Sequence, residues 1–296
     1  MEGSSSGAGT PGSSTFFTRH QFLIYRLFSL AGVVPVGGYL VIHLLTNATV
    51  LNGAASFQTQ VDRIHSLGAF LPFVEWTFIF IPILFHAAVG WLIISGAVPN
   101  TSSYPYSGNL RYVLQRMTGL IAFVFILFHV IQLHHLGSSL GGGEFNPEHA
   151  ASSAATAIDR ALWIKVAYAI GILACVYHFV NGIWTAGITW GVWTSRAAQR
   201  RASYVVLVFG IGLGVVALSA LTGMTRVDVQ EARQVEDRME RARQYIDGKI
   251  ADPSAPASDE HAAQAGRIVP AGEVQVPHET QHEQAGVATV GAPAAK

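Results

Sequence analysis

Four histidines lie where hydrocarbon would not be expected to hold them. His43 in "GYLVIHLL", His86 in "PILFHAAVG", His129 in "FVFILFHVI" and His178 in "LACVYHFVN" each sit deep in a long apolar run. An imidazole has two ring nitrogens to satisfy. Ionisable groups inside a bilayer are costly and tend to mark function. One such histidine is ordinarily a hydrogen-bonded core residue. Four, one per run, make a pattern that metal ligation explains. One nitrogen binds the metal and the other needs a single local hydrogen bond.

The runs supply the frame. About 20 mostly apolar residues at about 1.5 Å rise cross a bilayer. Five runs qualify, at 22–46, 74–98, 112–136, 161–190 and 203–224. The expected fold is an all-α integral membrane protein, with four helices bundled around the histidines and a fifth that has none. Pro35 and Pro82 fall within the first two runs, where bundle neighbours tolerate kinks. Composition agrees: the 296 residues are 50% hydrophobic and only 12% charged, whereas soluble domains carry about 25% charge. The net charge of zero gives no basic surface for nucleic acid. The single cysteine, Cys175, can form neither an internal disulfide nor a cysteine-held iron–sulfur cluster. Asp and Glu are absent from the run interiors, which argues against a carboxylate-driven pump.

Charge sets the orientation. Arg19, Arg26, Arg111, Arg116, Arg196, Arg200 and Arg201 flank one side, against Arg63, Arg160 and Lys165 on the other. The positive-inside bias puts the N-terminus in the cytoplasm, and five crossings put the C-terminus outside. Residues 1–15 read as a disordered polar tract, and the first run as an uncleaved helix. The membrane domain spans 16–224. Residues 225–250 read as a solvated charged helix continuing from the fifth run, with Arg233, Asp237 and Arg241 at i,i+4 spacing, and 251–296 as disordered.

Distance along each run sorts the histidines by depth. His43 follows Arg26, and His129 follows Arg116, by about 25 and 20 Å at the helical rise. His86 and His178 run the opposite way from Glu75 and Lys165 and end about 13 and 10 Å from the inner boundary of a core about 30 Å thick. An outer pair, His43 with His129, and an inner pair, His86 with His178, suit two six-coordinate haems stacked across the membrane. Flat porphyrins need shaved helix faces. Gly32 shares the direction of His43 on an ideal helical wheel, Gly90 that of His86, and Gly171 and Gly182 that of His178, while the third run offers only Gly119. The residues alone leave two other classes open: a di-haem anchor of a different respiratory dehydrogenase, and a haem-free anchor or transporter.

The segments "YRLFSLAGVVPVGGYLVIHL", "FIPILFHAAVGW", "VLQRMTGLIAFVFILFHV" and "VYHFVNGIWTAGITWG" closely resemble the di-haem cytochrome b membrane anchor of succinate:quinone oxidoreductases, in the five-helix, single-subunit branch that typically works with menaquinone. The resemblance covers about 16–224. It implies two haem b groups, the proximal one on His86 and His178 and the distal one on His43 and His129, in a bacterial cytoplasmic membrane. It implies flavoprotein and iron–sulfur partner subunits, with succinate oxidised in the partners and electrons carried through this chain to quinone. Arg26, Ser29 and Arg116 match motif positions where haem propionates are held, and Gly32, Gly90 and Gly182 stand as cofactor-face glycines. Some fumarate-reducing relatives carry a membrane-embedded glutamate where this chain has Val176, a departure that favours succinate oxidation. Asn47, His65 and Glu75 are the quinone-site candidates near the distal haem.

Overall fold

The computed structural model describes residues 16–96 and 106–250. The expected tracts 1–15 and 251–296, and the loop 97–105, lie outside them. Among the described residues, five helices are long and apolar enough to cross a membrane: Arg19–Asn52, Gly68–Ser95, Gly108–Leu133, Leu162–Thr189 and Arg196–Met224, here the first to fifth spans. Their outward faces are apolar. Phe22, Trp91, Val205 and Val208 are all exposed, and so large an apolar surface belongs in lipid. The chain is a multi-pass, all-helical membrane protein.

Both prolines leave their mark. Pro35 lies inside a π-helical turn, Gly32–Val36, and Pro82 stands two residues past the end of another, Trp76–Phe80. A proline lacks the amide proton and crowds the carbonyl four residues back. The wider turn absorbs the clash by inserting about one residue, which rotates everything before it by about 100° relative to an unbroken helix.

The third and fourth spans pack closely, as do the fourth and fifth. Leu44 of the first span joins Val176, Val180, Val206, Leu213 and Ala217 in one apolar cluster. Indole N–H groups finish the fourth-to-fifth connection: Trp184 donates to Gln199 O at 3.1 Å and Trp193 to Trp184 O at 2.9 Å.

The segments after the first, third and fifth spans meet on one face and build a cap. It comprises helix Ala54–His65, a 3-10 turn Pro147–His149 leading into helix Ala150–Asp159, and the tail helix Val229–Ile246. The tail helix differs from the solvated continuation expected. The fifth span ends at Met224, the chain turns, and Asp228 caps a new helix by accepting from Gln230 N and Glu231 N. This helix folds back on the other two. Ala232 and Glu236 are buried in the contact, and Arg243 pairs with Asp62. Its i,i+4 charge pattern signalled a helix, but not which face the loops would cover. His149 Nε2 lies 2.8 Å from Asp237 Oδ1. That hydrogen bond, then the charges of His149, Arg241 and Arg233, hold the Asp237 carboxyl below the ordinary carboxylate range.

Gln58 is the cap's central link, with 1% of its surface exposed. Its amide donates to Pro147 O at 2.7 Å and to Asp62 Oδ1 at 2.8 Å, and its oxygen accepts from Ala150 N at 2.9 Å. Gln58→Leu keeps the volume and leaves the Ala150 amide and Pro147 carbonyl buried without partners. It is expected to destabilise the protein by about 1–3 kcal/mol, read as a lower thermal midpoint in detergent. Asp237 supplies a pH prediction. Its folded-state pKa is depressed, so its contribution is full above the ordinary carboxylate pKa and lost as pH falls through the depressed one. Asp237→Asn is expected to flatten that part of the acid limb, followed by protease cleavage in the tail helix between pH 5 and 2.

Candidate metal centres

The structure brings the four intramembrane histidines together in two couples. His43 faces His129 with ring centroids 5.8 Å apart and planes at 78°. His86 faces His178 at 6.1 Å and 85°. His43 and His129 stand nearer the cap ends of their spans, at Asn52 and Leu133. His86 and His178 stand nearer the opposite ends, at Ser95 and Thr189.

In every ring Nδ1 has a local partner. His86 Nδ1 lies 3.0 Å from Phe28 O, and His178 Nδ1 lies 3.0 Å from Gln115 O. A carbonyl can only accept, so both rings carry their proton on Nδ1 and leave Nε2 with a bare lone pair. His129 Nδ1 is 3.2 Å from Tyr168 Oη, and His43 Nδ1 is 3.5 Å from Tyr39 Oη. The Gln115 amide nitrogen stands 3.5 Å from His178 Nε2. Two such lone pairs buried close together in a low-dielectric interior are unfavourable unless an electrophile accepts them.

The spacing suits one. With metal–imidazole bonds of about 2.0–2.1 Å, and each nitrogen about 1.1 Å from its ring centre, centroids would stand about 6.3 Å apart. Among the described residues no three His, Cys, Asp or Glu side chains converge. A metal held here would therefore take two protein ligands and bring the rest of its coordination with it, as a tetrapyrrole does. The residues present fit a haem iron at each couple.

The neighbours include residues the sequence did not single out. Gln115 is the hub of the His86–His178 couple. Its amide donates to His178 O at 3.1 Å and its oxygen accepts from Asn181 Nδ2 at 2.8 Å. Phe28 stacks on His86 with centroids 4.2 Å apart. Tyr39, Tyr168 and Gln132 belong to the other couple. Gln115, Gln132 and Asn181 are polar residues inside apolar runs, and the reasoning applied to the histidines would have marked them too.

The glycines act across helices. A Cβ at Gly32 would run into the His86 imidazole. The wheel that aligned Gly32 with His43 assumed an unbroken α-helix, and the π-turn at Gly32–Val36 shifts the phase. A Cβ at Gly119 would lie 2.8 Å from His178 Cε1. Gly32 and Gly119 thus admit the two rings of one couple. Gly171 lies against Phe125, Gly90 has only Phe28 near at 3.5 Å, and Gly182 only Gln115 at 3.7 Å.

The remaining candidates find separate partners. Arg26 stacks on Phe22 and on Trp190, 4.9 and 4.8 Å from their ring centres. Arg116 stacks on Tyr112 at 3.4 Å, while its buried Nη1 has no hydrogen-bond partner. Ser29 is half-buried. Asn47 donates to His43 O at 2.8 Å, His65 Nδ1 lies 3.0 Å from Val61 O in its own helix, and Glu75 stands 3.8 Å from His134.

A five-span helical bundle with two imidazole couples at two depths defines a class: multi-pass membrane proteins whose core is built around paired histidines. Residues 99–218, which hold His129 and His178, match the family described as succinate dehydrogenase/fumarate reductase transmembrane subunit. Over 201 residues the chain is 33% identical to the succinate dehydrogenase cytochrome b558 subunit of Bacillus subtilis (strain 168), covering 68% of this chain and 96% of that one. The chain belongs to the succinate dehydrogenase/fumarate reductase cytochrome b membrane-anchor family.

Overpacking a fitted site costs about 1–3 kcal/mol. Gly32→Ala and Gly119→Ala are each expected to lower stability by that amount, because the added methyl meets an imidazole held by its own hydrogen bond. Gly212→Ala, on the fifth span with nothing within 4 Å of an added Cβ, is expected to be neutral or stabilising by up to about 1 kcal/mol. Thermal midpoints of the three variants in detergent check the contrast.

Proposed function

We propose that this chain is the di-haem anchor of a succinate dehydrogenase, holding one haem b between His86 and His178 and a second between His43 and His129. The observation that carries the reading is the pair of couples at two depths, with Nδ1 hydrogen-bonded in each ring and centroids 6.1 and 5.8 Å apart. Bound haem supplies one-electron carriage, and two of them one above the other join a partner on one face to quinone near the other.

The chain's own residues bind and orient. The carbonyls of Phe28 and Gln115 fix the tautomers of the inner pair. Arg116, with Nη1 unpartnered, supports the role of propionate partner for itself and, at the same end of the bundle, for Arg26 and Ser29. Gly32 gives the His86 imidazole room, with Gly90 and Gly182 on the neighbouring faces.

The membrane is the bacterial cytoplasmic one, with the N-terminus in the cytoplasm and the cap and C-terminus outside. The iron–sulfur subunit, carrying the flavoprotein subunit, docks on the cytoplasmic face nearest His86 and His178. Succinate oxidation belongs to those partners. Quinone, of the menaquinone type, reacts on the cap side near His43 and His129. The family match and the likeness to a cytochrome b558 subunit of succinate dehydrogenase support the assignment.

Quantitation of haem b per chain, with a potentiometric titration of the purified complex, tests it. Two haems are expected. His86→Ala and His178→Ala should remove one spectral component, and His43→Ala and His129→Ala the other. Loss of the same component in His43→Ala and His178→Ala would refute the pairing, and a purified complex without haem would refute the function.

A further inference from the structure

His129 is tied to the tail helix through hydrogen bonds and one short helix. Its Nδ1 lies 3.2 Å from Tyr168 Oη, Tyr168 donates to Gln132 Oε1 at 3.0 Å, and Gln132 Nε2 donates to Ala157 O at 3.0 Å. The far end fixes every direction. The Ala157 carbonyl can only accept, so Gln132 turns its amide nitrogen there and its oxygen to Tyr168. The single Tyr168 proton goes to that oxygen, so the phenol oxygen must accept from His129 Nδ1–H. Gln132 and Tyr168 are 7% and 4% exposed, so water does not compete for these bonds.

Ala157 belongs to helix Ala150–Asp159, in which seven of ten residues are buried. The first amides of a helix have no partner within it. Here two other cap helices supply them. Gln58 takes Ala150 N at 2.9 Å. Glu236 Oε1 takes Ala151 N at 2.7 Å and Ser152 N at 3.1 Å, and Glu236 Oε2 accepts from Ser152 Oγ at 2.6 Å. Glu236 is fully buried, with 0% of its surface exposed. Its carboxylate thus anchors one end of a rigid rod whose other end holds Gln132. The inner couple has no such connection: its Nδ1 atoms meet backbone carbonyls within the spans.

We propose that Tyr168 and Gln132 are positioning residues that set the redox potential of the haem at His43 and His129, and that Glu236 of the tail helix anchors them through helix Ala150–Asp159. This rests on the two-haem reading above. An imidazole that donates Nδ1–H to an oxygen is a more basic ligand. It stabilises the oxidised iron, so loss of the acceptor raises the potential. The cap thereby acts on one redox centre and not on the other.

Potentiometric titration of the purified complex tests this with wild type, Tyr168→Phe, Glu236→Ala and Glu236→Gln. Tyr168→Phe is expected to raise the midpoint of the component that His43→Ala removes, by about a tenfold change in its reduced-to-oxidised ratio, or about 59 mV. The component that His86→Ala removes should not move. Selective loss of the outer component in Tyr168→Phe would support the same assignment. Glu236→Ala should shift the outer component the same way by less, and Glu236→Gln, whose amide oxygen can still accept from Ala151 and Ser152, should restore it. If Glu236→Ala does not assemble, Ser152→Ala, which removes one of the carboxylate's three bonds, carries the comparison. Equal shifts of both components, or none in Tyr168→Phe, overturn the relay. Wild-type protein without haem overturns the two-haem reading itself, whereas two haems with no selective shift overturn only the relay.

Discussion

Hydrocarbon does not solvate an imidazole, and that constraint organises this molecule. Each intramembrane histidine has one nitrogen satisfied close at hand and a second histidine ring beside it. The satisfied nitrogen does two jobs. It removes the cost of a buried donor, and where the partner is a carbonyl it dictates where the proton sits. The other nitrogen is then a bare base held in place before any ligand arrives, the preorganisation that a metal-binding ligand needs.

The helices reach the required distances through local departures from regularity. Two prolines convert single turns of the first and second spans into π-helix, and glycines remove side chains where a ring from a crossing helix must enter. Several amide side chains within the spans support the histidines. Gln115 binds the backbone of His178 and accepts from Asn181. Gln132 and Tyr168 form the corresponding support beside His129. A buried polar network is favourable only when each member is satisfied, and these are.

The cap obeys the same rule outside the membrane. Helix Ala150–Asp159 is built mostly from alanine and serine, small enough for close approach and poor in packing area of its own. Its stability depends on other helices, which provide Gln58 and Glu236 for its opening amides. The tail helix is therefore structural. It is charged and outwardly solvated along most of its surface, yet the one carboxylate it buries completes a neighbour's hydrogen bonding.

Length and polarity along the chain were enough to determine five crossings, their boundaries within a turn or two, and one histidine in each of four. These follow from the bilayer thickness and the helical rise, which act on each segment separately. Which rings would meet was also legible, because charged residues near the span ends mark depth. The neighbour of Gly32 was not, since a wheel cannot register a π-turn that a proline forces upstream. Gln115, Gln132 and Tyr168 could be seen as polar residues in apolar runs, but their partners lie 25 to 66 positions away and exist only once the spans pack. The fold-back of the tail helix was decided wholly by tertiary structure. Its sequence is that of a solvated helix, and the burial of Glu236 depends on unpaired amides that another loop presents.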